Sequence, residues 1–122
     1  MTNKVFNIRE RSLEFAICIA KFVDCLPFKQ SAVEFSKQLL RSSASIGANL
    51  EEADGALSKK DFLNKIGISR REAKETHYWL RLLNGANLIN EQKKNEFFIL
   101  LKEAEELKLI LSSIINKTKG EV

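Results

Sequence analysis

Apolar residues return every three or four positions along almost the whole chain, and only three breaks interrupt them. Pro27 follows Cys25-Leu26. Asp54-Gly55 and Leu57-Ser58 form the second break, and Asn84-Gly85 with Asn87 the third. Spacings of three and four place side chains on one face of an α-helix. With one proline and five glycines in 122 residues, the chain lacks the turn residues of a β-sandwich. The pattern predicts helices over about 8–25, 31–56, 59–84 and 91–117. Short connections make consecutive helices antiparallel. The expected fold is all-α, an antiparallel up-down-up-down four-helix bundle filling residues 1–122 as one domain.

Each segment offers a seam. The first carries Leu13, Ala16, Ile17, Ala20 and Val23, widened by Phe15, Ile19 and Phe22. The second carries Leu39, Ser43, Ile46, Leu50, Ala53 and Leu57. The third carries Phe62, Ile66, Ser69, Ala73, Thr76, Leu80 and Leu83, and the fourth Phe97, Leu100, Ala104, Leu107, Leu111 and Ile114. Heptad-like steps of this kind suit helices packed side by side. Ser58 with Asp61 resembles a capping box, Gly85 sits where a left-handed C-cap belongs, and Asn90 can cap the fourth helix. The tail from Lys117 to Val122 has no apolar pattern and is expected to fray.

Several chemistries are absent from this pattern. Nothing approaches the ~18 consecutive apolar residues of a membrane span. Met1 to Phe6 lacks a signal peptide's apolar core, so the expected compartment is the cytoplasm. Cys18 and Cys25, about 10 Å apart on one helix, are too distant for a disulfide and read as free, buried thiols. Two cysteines and one histidine cannot complete a zinc site, and no Glu-x-x-His pair serves a di-iron centre, so neither metal nor cofactor is expected. No acid/base pair with an orienting partner points to an enzyme.

The run from Arg41 to Glu52 is dense in Ser, Gly and Asn, which are poor formers of a helix interior. Ser42, Ser45, Asn49 and Glu52 share one face beside the seam. Hydrogen bonding and close packing between helices is the expected compensation. A ligand pocket and a subunit contact are the alternatives. In a hairpin turning near residue 57, Arg41 falls level with Lys74 and Glu75 and one helical turn from Glu72, and is expected to pair with Glu72 or Glu75. Trp79, on a flank of the third helix, reads as a packing residue or a subunit contact.

The formal net charge is +4. Residues 59–81 hold seven basic and three acidic side chains, a surplus equal to that of the whole chain. On a helical wheel Lys59, Lys60, Arg70, Arg71, Lys74 and Arg81 fall within about 120° of arc, a stripe about 33 Å long, with Tyr78 and His77 among them. Cations with an interleaved aromatic suit a nucleic-acid backbone. A solvated face, partly paired with glutamates of the fourth helix or another subunit, is the competing account. A membrane surface is disfavoured because no apolar anchor accompanies the stripe.

Pro27, Gln38, Arg41, Ser42, Ser45-Ile46, Ala48-Asn49 and Glu52-Ala53 resemble the signature of the bacterial four-helix-bundle proteins encoded by intervening sequences within 23S ribosomal RNA genes. A second block, Asp61-Phe62-Leu63, Ile68, Glu72-Ala73, Glu75-Thr76 and Tyr78-Trp79-Leu80, is similar too. Leu50 stands where that family often has Ile, and Ala53 where it often has Gly. The resemblance implies a four-helix bundle and a pentameric ring of identical chains. A related branch, the accessory variability determinant of diversity-generating retroelements, partners a reverse transcriptase and binds nucleic acid. By that resemblance the expected function is a homo-oligomeric, non-enzymatic accessory protein binding RNA or DNA through the third helix. The alternative is a protein-interaction module with no nucleic-acid partner.

Overall fold

Four long helices build the computed structural model, which describes residues 4–120: α1 (Lys4–Val23), α2 (Gln30–Asp54), α3 (Lys59–Gly85) and α4 (Lys94–Gly120). Helix α4 is entered through a 3₁₀ turn at Glu91–Lys93. Each helix packs on its sequence neighbours and α4 closes on α1, the sparsest of the four seams. The result is an all-α four-helix bundle.

The ends follow local chemistry. Helix α1 stops at Val23, short of the expected residue 25, because the Cys25 and Leu26 N–H groups turn back to the Phe22 and Val23 carbonyls, each at 3.1 Å. Ser58 Oγ accepts the Asp61 N–H at 3.0 Å, capping α3. Asn90 Oδ1 accepts the Lys93 N–H at 3.1 Å and so starts the 3₁₀ turn. Gly85 is not the left-handed cap. That conformation falls to Asn87, with φ 59°. The Asn87 N–H bonds the Asn84 carbonyl at 3.1 Å and the Leu88 N–H bonds the Leu83 carbonyl at 3.0 Å. This is a Schellman turn, and its apolar pair, Leu83 and Leu88, is buried. Helix α4 continues to Gly120, past the expected fraying at Lys117. Met1–Asn3 and Glu121–Val122, which belong to the Met1–Phe6 segment and to the Lys117–Val122 tail, lie outside the described residues.

Helices α2, α3 and α4 bury the expected seams, except that Phe62 is half-buried and Leu57 stands in the turn, almost fully exposed. Helix α1 differs. Ile8, Ser12, Phe15, Ile19 and Phe22 face the core, while Leu13 is 56% and Ile17 38% exposed. The expected primary stripe is thus the outer face, and the three residues expected to widen it form the inner one. Phenylalanine fills the wide central space that leucine and alanine would leave empty. Cys18 is half-buried but Cys25 is exposed, contrary to the expectation of two buried thiols.

Of the α2 serines, Ser42 meets a partner on α3, while Ser42 and Ser43 also donate back to the Leu39 and Leu40 carbonyls of their own helix, each at 3.3 Å. Ser69 Oγ donates to the Ile46 carbonyl across the α2–α3 seam at 2.8 Å. Thr76 Oγ1 lies 2.8 Å from Ser42 Oγ and 2.8 Å from the Glu72 carbonyl oxygen. All of these hydroxyls are buried, so each bond spares a desolvated polar group. Asn49 instead bonds within its own helix, to the Ser45 carbonyl at 2.9 Å. Ser12 of α1 faces Gly47, where an added Cβ would come 3.6 Å from Ser12 Cβ, an ordinary contact. Ser12 Oγ is buried there without a hydrogen-bond partner among the described residues.

Candidate nucleic-acid interface

Helix α3 presents its seam to α2 and α4, which leaves the basic arc outward. Lys59, Lys60, Arg71, Lys74 and Arg81 are exposed and Arg70 is half-buried. The arginines sort sharply. Off the stripe, Arg9 holds Glu51 (2.6 Å) and Asp54 (3.4 Å). Arg11 holds Glu103 (2.6 Å) and Glu106 (3.1 Å). Arg41 holds Glu72 (3.3 Å) and Glu75. On the stripe, none of the six cations lies within 4.0 Å of a carboxylate among the described residues. Pairing with α4 glutamates therefore does not consume the stripe within one chain.

Arg41 bridges α2 to α3 at the expected register, to both carboxylates. Glu72 is buried beneath it, so this pair fixes how the two helices slide. Glu52, the last residue of the polar face, is exposed and pairs with Lys65 at 2.6 Å. Trp79 lies between helices, its ring 6.1 Å from Phe35, and its Nε1 donates to Glu75 at 3.0 Å. That hydrogen bond, with Arg41 adding to it, holds the Glu75 carboxyl below its ordinary value against the pull of partial burial. The stabilisation is complete above the unfolded carboxyl's value and is lost as pH falls through the folded one. Glu75→Gln is accordingly expected to lose less stability than the wild type as pH falls from about 5 to below about 4, the range that starts at glutamate's ordinary value and extends beneath it. Denaturant midpoints at each pH measure this, and identical slopes would refute it.

The structure gathers part of the stripe into a groove. Lys60, Arg70, Arg71 and Lys74 line an open depression of about 810 Å³ between α3 and the end of α4, joined by Lys119 and floored by Leu63 and Ile115. Lys59, Tyr78 and Arg81 lie outside it. Tyr78 is 52% exposed, with its ring edge-on to Trp79 at 5.2 Å. His77 turns toward α4, 4.0 Å from Glu105, and partial burial lowers its pKa. Sequence reasoning missed Lys119, Asn64 and Gly67, which also line the groove. Only Gly67 left a signal, as a glycine in mid-helix costs about 1 kcal/mol against alanine. Among the described residues, no three His, Cys, Asp or Glu side chains cluster as a metal ion requires. No described helix is long and apolar enough to cross a membrane.

A family model described as 23S rRNA-intervening sequence protein matches residues 4–113. The chain is also similar to a solved structure from Bacteroides thetaiotaomicron, a protein of unknown function from the S23 ribosomal protein family. Identity is 38%, the match covers 93% of this chain and 99% of that one, and the TM-score is 0.83. No curated protein matches the sequence.

Proposed function

Because this chain belongs to the 23S rRNA-intervening sequence protein family, we propose that it is a non-enzymatic, homo-oligomeric accessory protein of the cytoplasm that binds RNA or DNA through the basic face of α3. The observation that carries the reading is the sorting of the arginines. Three are each held by two carboxylates, while Arg70, Arg71 and Arg81 share one face with no carboxylate partner among the described residues. Paired cations serve the fold, and unpaired ones are free to exchange counterions for phosphates. Lys59, Lys60 and Lys74 act with them, and Tyr78 offers a ring for stacking. Repetition of the stripe around the pentameric ring that the resemblance implies would multiply a weak local attraction. A protein partner such as a reverse transcriptase would then share the bound strand.

The second reading is a protein-interaction module. It is supported by the apolar side chains on the outer faces, Leu13 and Ile17 on α1 with Phe98, Ile99 and Leu109 on α4. Fluorescence anisotropy of labelled RNA and DNA, titrated with protein at several salt concentrations, decides between them. The first reading expects log affinity to fall linearly with log salt, by about 0.7 per phosphate contact on a single strand. Folded protein that binds nothing at low salt would leave the second.

A further inference from the structure

Gly67 sits at the centre of the basic stripe for no reason internal to the fold. Its backbone is helical, and no positive φ occurs at any described glycine. A Cβ placed there would meet nothing within 4 Å. Neither conformation nor packing asks for glycine, and a mid-helix glycine weakens its helix. Its place is specific, however. It lies seven residues from Lys60 and seven from Lys74, so all three fall on nearly one line along the helix, about 10 Å apart. Arg70 and Arg71 stand one turn away on one side, and Leu63 and Asn64 one turn away on the other. The groove is thus a dent in the stripe. Its bed at Gly67 is bare backbone, its apolar floor is Leu63 and Ile115, and its rim carries five cations, Lys60, Arg70, Arg71, Lys74 and Lys119, against one carboxylate, Asp61.

Resting on the nucleic-acid reading above, we infer that this groove takes a nucleotide of a single strand and discriminates against duplex. A duplex is a convex cylinder with stacked, recessed bases, and it would touch the rim cations while leaving the dent empty. A single strand can lay one unstacked base or sugar over Gly67 and against Leu63 and Ile115. Its neighbouring phosphates then run to Lys60 and Lys74. Guanidinium planes such as those of Arg70 and Arg71 stack on splayed bases. The missing side chain at 67 is the space this requires.

The test is Gly67→Gln, a neutral, strongly helix-forming side chain that fills the dent without removing a cation. The probes are a labelled single-stranded RNA oligonucleotide and the same oligonucleotide annealed to its complement. The inference expects wild type to prefer the single strand. It expects Gly67→Gln to weaken that binding at least about fivefold, the low end for one lost stacking contact. Duplex affinity and the salt slope should stay as in wild type, and the thermal midpoint should rise because the helix is improved. Unchanged single-strand affinity in the variant, or equal wild-type affinity for the two probes, overturns the inference and leaves backbone binding by the stripe intact. Absence of wild-type binding to either probe at low salt overturns both.

Discussion

Changing Arg70, Arg71 and Lys74 together to glutamate is expected to abolish RNA binding and leave the bundle folded. None of the three is ion-paired among the described residues, and Arg71 and Lys74 are exposed, so no ion pair is broken. At the groove, three attractions for phosphate become three repulsions. The salt dependence should flatten by about two units in slope, and affinity near 0.1 M salt should fall by at least about a hundredfold. Circular dichroism controls for folding and anisotropy reads the loss. If the stripe instead serves a subunit contact, the same variant shifts the oligomer to smaller species on sizing columns, while wild type shows no nucleic-acid binding. Tight RNA binding by the folded variant would remove α3 from the interface altogether.

Phe22→Ala is expected to destabilise the protein by about 3–5 kcal/mol, whereas Leu13→Ala, on the same helix, should cost no more than about 0.5 kcal/mol in the isolated chain. Phe22 is fully buried and its loss leaves a cavity among packed side chains, while Leu13 is 56% exposed. Chemical denaturation of the two variants side by side measures the difference. Equal costs, or the reverse order, would mean that α1 packs through its other face.

That contrast marks where the sequence was legible. On α2 and α3 one apolar row stands out from a mostly polar remainder, so periodicity picks the buried side; on α4, where Phe98, Ile99 and Leu109 are apolar yet exposed, the regular steps from Phe97 to Ile114 still pick it. On α1 apolar residues surround the helix, and Leu13-Ile17-Ala20 has as good a 3–4 spacing as Phe15-Ile19-Phe22. Only the size of the space left by three other helices decides between them, and that is a tertiary quantity. The cap after α3 is similar. Gly85 and Asn87 both tolerate a left-handed backbone, and the chain selects Asn87 because that places Leu88 on Leu83.

For the candidate site, the cations of α3 and the Arg41 register were legible because both depend on one helix or one hairpin. The groove was not, since Ile115 and Lys119 reach it only through the antiparallel return of α4. Likewise, nothing in the spacing said that Tyr78 would lean on Trp79 outside the groove.

The division of arginines between paired and unpaired has a kinetic side. Where carboxylates cancel cations locally, the field dies within a few ångströms, but an uncancelled row of six reaches out about a Debye length, roughly 8 Å at physiological salt. The protein therefore carries a lopsided potential, which under the proposed function would turn α3 toward a polyanion before contact. If the proposed function holds, added salt should act first on the speed of encounter, and the residence of a strand in the groove should depend more on its apolar floor.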